Sequence, residues 1–486
     1  MGRPRGWVTR VAVAAASVLV VLGGCAVRVP GEAKRAGAVI DPGKVAGIPV
    51  REGPSGVRAG AGPARDVEVE NESTSPIDVL ARNAVSDVQA YWTQRFPQDF
   101  GQPYKQVGRF VSYDSGGPSM VLCRSNTQGL VNAFFCPSED TIAWDRGQLL
   151  PMLSDQFGEL AVVTVLAHEI GHAVSQRAGL AKPGTPTIVS EQQADCFTGA
   201  FFKHVADGKS PHFVVSTGEG LNNVLQTMFS LRDQVGQSFT KRGAHGNAFD
   251  RVSAFQFGFS QGPVRCAAID VPEIQRRITE LPFKAGDTTG GNLTVNSANI
   301  IQIVDNLKVV FKDSGAAPPE LLDGTISCPD AQATTPAAYC PANNSISLDL
   351  ARLAEIGAQP QKGMKKGSAI GDFAAYAEVA SRYVLSVQKH TGFPLNDTNA
   401  GLRTACLVGS WAGALLERPT GGRNPVQGLR ISAGDLDEAV AELLSGKSLI
   451  AADVNGTHVP SGFARIEAFR IGFMDGASPC VEDFGA

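Results

Sequence analysis

Two things are scarce in this chain of 486 residues: long apolar runs and clustered positive charge. The stretch Val11 to Leu22 has twelve residues, too few to cross a bilayer, and no other run approaches the roughly twenty that a membrane helix needs. There is no basic run, and the net charge is −4. Nucleic acid and an anionic membrane surface are therefore poor candidates for the main partner.

What stands at the N-terminus instead fits an export signal. Arg3, Arg5 and Arg10 precede the short apolar stretch, which ends Leu22-Gly23-Gly24-Cys25. Small residues before a cysteine at that place resemble a bacterial lipobox, implying cleavage before Cys25 and a lipid on its sulfur. Residues 1–24 are thus expected to be a lipoprotein signal peptide. Residues 25–73, rich in Gly, Pro and Ala without helix or strand period, are expected to be a flexible tether. This predicts an extracytoplasmic protein anchored to the bacterial cell membrane.

The centre of the chain is the run Ala167-His168-Glu169-Ile170-Gly171-His172. On a helix, His168 and His172 lie one above the other on one face and can reach one metal ion. Zinc is the natural occupant, and Glu169 falls beside the metal, where a carboxylate can take a proton from water. A metzincin would continue with Gly at 175 and His at 178, but Ser175 and Ala178 stand there, which excludes that class. A second helix is expected to begin at Ser190, as N-cap, with Gln193 closing a capping box. It would place Glu191 and Asp195 on one face, Glu191 as third ligand and Asp195 orienting a ligand histidine.

These residues, with Glu191 to Ala200, Phe134-Phe135-Cys136-Pro137, and His245-Gly246 followed by Arg251, Phe255, Gly258, Phe259 and Cys266, resemble the neutral zinc metallopeptidases of the gluzincin type. The likeness runs from about Thr74 to Cys266, with Lys241 to Ala244 as an insertion before His245. It implies one zinc per chain, a peptide or protein substrate, and an edge strand at Thr141 to Asp145 beside the cleft, to which a peptide can add. His245 is a candidate catalytic donor to the oxyanion. A helix is expected over Pro76 to Phe96.

Setting Cys25 aside, eight cysteines remain, at separations of 13, 60 and 70 in the first half and 12, 66 and 74 in the second. The flanks agree as well: Cys136-Pro137 to Asp145 matches Cys340-Pro341 to Asp349, and Arg251 to Cys266 matches Arg465 to Cys480. The fold class is accordingly α+β, with two tandem gluzincin-like domains from an internal duplication, at 74–290 and 291–486. The second is degenerate, since Ser381, Arg382, Leu385, Gly401 and Ala405 stand where His168, Glu169, His172, Glu191 and Asp195 do. It is expected to bind no zinc and to shape one wall of the cleft.

Each cysteine quartet allows three pairings. The resemblance and the short first spacing favour Cys123 with Cys136, Cys196 with Cys266, Cys328 with Cys340, and Cys406 with Cys480. The whole reads as a lipid-anchored, monomeric zinc peptidase with Glu169 as general base. The alternatives are a non-catalytic binding lipoprotein with structural zinc and a hydrolase of non-peptide amides.

Overall fold

The computed structural model describes residue 2 and residues 41–484, apart from 183, 239–240, 242, 278–290, 325–326, 361–368 and 417–428. Cys25, the signal segment apart from Gly2, the start of the tether and the expected boundary at 290 lie outside the described residues. The chain from Ala38 onward forms one compact unit of mixed α+β structure. Among the described residues no helix is long and apolar enough to cross a membrane.

The tether ends earlier than its composition suggests. Gly56 and Val57 pair antiparallel with Val214 and Phe213, the Arg51 N–H donates to Thr217 at 2.9 Å, and Val45 is buried. Backbone pairing needs no periodic side chains, so residues 41–73 could join the body without showing a pattern.

Helix α1 (Pro76–Phe100) opens on Ser75, whose hydroxyl caps the N–H of Asp78. It buries Leu80, Ala84, Val88 and Trp92 at helical spacing and continues past Phe96 to a left-handed Gly101, whose N–H bonds the Pro97 carbonyl. A sheet follows, of β1 (Arg109–Tyr113), β2 (Ala133–Cys136) and β3 (Thr141–Asp145). Its order is β1-β3-β2, with β3 parallel to β1 and antiparallel to β2. The expected edge strand at 141–145 is therefore the central one. Every residue of β3 is buried, as a strand with a neighbour on each side requires, and the edge facing the cleft is β2.

The helices that build the site in this half are α2 (Glu159–Arg177), α3 (Thr187–Ala206), α4 (Glu219–Ser230) and α5 (Ala248–Gln261). A Cβ on Gly171 would stand 2.9 Å from the Ala194 Cα, so only glycine lets α2 lie this close to α3. Gly199 and Gly258 likewise face the backbones of Phe255 and Cys196, leaving no room for a Cβ where α3 crosses α5.

The second half runs through the same sequence of elements. Helix α6 (Ser297–Val310) precedes strands β4 (Glu320–Asp323), β5 (Ala337–Cys340) and β6 (Ser345–Leu348), again ordered β4-β6-β5 with one parallel and one antiparallel pairing. Then come α7 (Asp372–His390), α8 (Ala400–Ala414), α9 (Asp435–Leu444) and α10 (Gly462–Asp475). Gly409 and Gly472 sit at the α8–α10 crossing as Gly199 and Gly258 do in the first half. One buried apolar cluster runs through both halves. Disulfides join Cys123 to Cys136, Cys196 to Cys266, Cys328 to Cys340 and Cys406 to Cys480.

Candidate active site

Helix α2 is buried along nearly its whole length, and its apolar residues pack it into the core while His168, Glu169 and His172 face a cleft of about 780 Å³. The partner helix α3 begins at Thr187, with Pro186 as its N-cap and no side-chain cap, rather than at Ser190. Gln193 closes no capping box, being engaged elsewhere: it accepts from the Ser175 hydroxyl at 2.6 Å and donates to the Ile269 carbonyl at 3.0 Å. Glu191 and Asp195 still share one face, turned toward α2.

The ligand atoms of His168, His172 and Glu191 all lie within 4.8 Å of one another. The two Nε2 atoms are 3.1 Å apart, and Glu191 places Oε2 at 3.2 Å from His168 Nε2 and Oε1 at 3.5 Å from His172 Nε2. Tetrahedral zinc with bonds near 2.1 Å needs donor atoms about 3.4 Å apart, so the spacing of the triad suits the ion. Two imidazoles and a carboxylate leave a fourth position open, as catalytic zinc sites do. Among the described residues this is the one cluster with the geometry of a zinc site.

Asp195 supports the triad from behind. Its Oδ1 lies 2.7 Å from His168 Nδ1, which fixes the ring with Nε2 toward the ligand position. Arg251, from α5, donates to both oxygens of Asp195 at 2.9 and 2.7 Å. Burial would push the Asp195 carboxyl up, but the Arg251 and His168 charges outweigh it and hold it below its ordinary value. Burial likewise works against the His168 cation, yet Asp195 and Glu191 raise the metal-free imidazole to about 10. Glu191 is held well below the ordinary range by the two histidines against the pull of burial.

Glu169 is apart from the ligand cluster. It is buried, burial raises its pKa, and its Oε2 accepts the Phe135 N–H of the edge strand β2 at 2.9 Å. The site thus ties its carboxylate to the strand along the cleft. His245 reaches the same cleft from the other side, half-exposed, with Nε2 at 4.0 Å from Glu191 Oε2 and Nδ1 at 3.4 Å from Asp233 Oδ1. Asp233 also accepts the backbone N–H groups of His245 and Gly246, each at 2.8 Å. The Asp233 partnership raises the His245 pKa against a smaller opposing effect of burial. The insertion of Lys241 to Ala244 leaves His245 at the cleft.

Every described residue lining the cleft comes from the first half, between Asn132 and Arg251. The second half therefore supplies no wall of it among the described residues, and its hydrogen bonds to the first half include those to Ala248, Gln256 and Asn222. At the place matching Glu169, Arg382 is buried and donates to the carbonyls of Leu449, Asp453 and Ala452 at 2.9, 2.9 and 3.2 Å. A Cβ on Gly401, where Glu191 would stand, would lie 2.7 Å from the Ala451 carbonyl. Backbone therefore fills the space that is open in the first half.

Two further clusters of ligand-type residues exist among the described residues. Cys328 and Cys340, grouped with Asp330, are bonded to each other and offer no thiolate. Asp372, Asp435 and Glu438 form a largely buried carboxyl group in the second half, where burial pushes Asp435 up to about 8.

Two supporting residues were without an assigned role in the sequence. Arg251 stood out as part of the family-like tail after His245 and as a position repeated at Arg465, and Asp233 carried no signal. With the geometry established, the comparison with known families is direct: residues 38–269 match the model of the family described as "Putative neutral zinc metallopeptidase". The match begins near the first packed strand and ends at Ile269, so it takes in residues 41–73 as part of the domain. No curated protein and no solved structure matched the chain.

Proposed function

We propose, from the premise that residues 38–269 are a zinc-dependent metallopeptidase domain, that the chain is a lipid-anchored, extracytoplasmic peptidase with Glu169 as its general base. The observation that carries this reading is the place of Glu169: next to a ligand, outside the ligand set, and hydrogen-bonded to the strand that borders the cleft. A purely structural zinc site has no use for a free carboxylate there and closes its fourth position.

His168, His172 and Glu191 would hold the ion, which when bound supplies Lewis-acid polarisation of a peptide carbonyl and a more acidic water. The residues of the chain do the rest. Glu169 takes the proton of the attacking water and returns it to the leaving amine, the two halves of general acid–base catalysis. Asp195, backed by Arg251, holds His168 in one tautomer and orientation. The outer edge of β2, beyond the Phe135 amide that Glu169 holds, can accept an extended peptide by backbone pairing, and Phe134, Phe135, Val165, Met228 and Leu231 supply apolar contact along the cleft. His245 presents Nε2 toward the cleft as a donor to the developing oxyanion.

The second half reads as the product of a duplication of this peptidase unit that has lost its site, supported by the repeated element order, the repeated sheet pairing and the repeated glycine crossings. It keeps a fold and no chemistry. The lipobox-like Leu22-Gly23-Gly24-Cys25 supports an anchor at Cys25, and the chain is proposed to work as a monomer.

Incubating the full-length protein with a diverse peptide library, with and without a zinc chelator, tests the activity. Chelator-sensitive cuts at defined peptide bonds are expected. Zinc binding with no cut in any peptide would favour the binding-protein alternative. For the anchor, a fatty-acid label should enter the parent protein and fail to enter Cys25→Ser; equal labelling would remove the anchor from the reading.

A further inference from the structure

The α5 helix carries Arg251, so whatever holds the first turn of α5 also sets the support behind His168. That turn is held partly from outside its own half. The Ala248 N–H donates to Asp437 Oδ1 at 2.8 Å, and the Phe249 N–H lies on the same oxygen at 3.4 Å. Asp437, on the first turn of α9, is buried, and a carboxylate there meets the unsatisfied amides and the positive end of the α5 dipole together. Its second oxygen stands 3.1 Å from Arg232 Nε, an ion pair. Arg232 in turn lies over the Phe229 ring at 4.0 Å, at the end of α4, and precedes Asp233, the partner of His245.

One carboxylate of the second half thus ties together the end of α4 and the start of α5. From that corner two routes enter the zinc site. The first runs along α5 to Arg251, then Asp195, then His168 Nδ1, through hydrogen bonds of 2.9, 2.7 and 2.7 Å. The second runs through Asp233 to His245. The Phe249 ring, packed at 5.2 Å from Phe473 of α10, keeps water away from the joint. Loss of the Asp437 carboxylate would leave two buried amides and a cation without their partner, and the corner would have to move to find water.

We propose that Asp437 is a positioning residue for the zinc site of the other half, and that the degenerate half acts on catalysis through this contact rather than through the cleft. The inference rests on the zinc-peptidase reading. It gives the half without ligands a defined role: it clamps the helix that orients the first ligand.

The test measures zinc affinity by chelator competition, together with kcat and KM on a cleaved peptide, in the full-length protein well below its melting temperature. Asp437→Ala should weaken zinc about tenfold and lower kcat with little change in KM, by analogy with partners behind a ligand. Asp437→Asn, which keeps an acceptor for Ala248 but loses the charge, should fall between. Asn222→Ala serves as the control, because Asn222 bonds the Gly462 N–H across the same junction without touching the corner. It should lower the melting temperature and leave zinc affinity alone.

Combining Asp437→Ala with Arg251→Lys should cost little more zinc affinity than Arg251→Lys alone, since both act through one path. Unchanged zinc affinity in Asp437→Ala, full additivity with Arg251→Lys, or an equal affinity loss in Asn222→Ala would overturn the proposal. Should Asp437→Ala not fold, Asp437→Asn and the Asn222 control decide it. A parent protein that neither binds zinc nor cleaves would instead overturn the underlying peptidase reading.

Discussion

Arg251 grips Asp195 with two hydrogen bonds of 2.9 and 2.7 Å, the pair lying 3% and 0% exposed, and Asp195 passes that grip to His168. A buried carboxylate with both oxygens on one guanidinium cannot rotate, so the imidazole it holds cannot turn Nε2 away from the ligand position. Arg251→Gln should therefore weaken zinc binding roughly 10- to 100-fold. It should also destabilise the fold by about 3–5 kcal/mol, because the buried charge of Asp195 loses the guanidinium that pairs it. Chelator competition and urea unfolding check the two effects; unchanged zinc affinity would break the link from Arg251 to the site.

The third ligand can be separated from a nearby carboxylate of the same type. Glu191 lies in the triad, whereas Glu219 begins α4, its N–H bonded by Glu52. Glu191→Ala should lower zinc affinity by orders of magnitude, and Glu219→Ala should leave it within about twofold. Equal retention of zinc in both variants would remove Glu191 from the ligand set.

The bridge from Cys196 to Cys266 closes 70 residues and starts on the residue after Asp195. In the chain-entropy model a loop of that length stabilises by about 4 kcal/mol, against about 3 for the 13-residue separation of Cys123 and Cys136. The double variant Cys196→Ala/Cys266→Ala is expected to lose the larger amount and to weaken zinc, since the turn bearing Asp195 loosens. Loss of stability with zinc affinity intact would confine the bridge to the fold.

The second half carries its own dependence on pH. Burial, and then the charge of Asp372, pushes Asp435 up to about 8 from an ordinary 3.8. Its folded form holds a proton that the unfolded chain gives up readily. The stabilisation is therefore whole below about pH 4, declines as the pH rises toward about 8, and is gone above that. Asp435→Asn cannot titrate and should flatten this decline, gaining on the parent in urea midpoint between pH 5 and 8. Parallel curves for parent and variant would refute it.

Residues with a local pattern were legible in the sequence. The spacing of His168, Glu169 and His172 and the shared face of Glu191 and Asp195 depend only on helix geometry, so they survived the misplaced start of α3. Relations made by packing were not legible. Arg251 lies 56 residues from Asp195, and the two meet only because Gly199 and Gly258 let α3 and α5 cross closely. The strand at 141–145 was found, but strand order is a matter of pairing partners, so the edge role belongs to β2. Residues 41–73 lack side-chain periodicity and join the body through backbone bonds that composition does not reveal. The contact from Asp437 to Ala248 spans 189 residues and has no sequence signature at all.

Glu169 carries the proton transfer of the proposed reaction, and one paired measurement decides its role: zinc content and peptide cleavage of Glu169→Gln beside the parent. The amide keeps the shape and can still accept the Phe135 N–H, but it cannot take a proton from water. One zinc per chain is predicted in both proteins, with the cleavage rate of the variant lower by at least about 100-fold. A variant that keeps its zinc and cleaves at the parental rate would contradict the central claim.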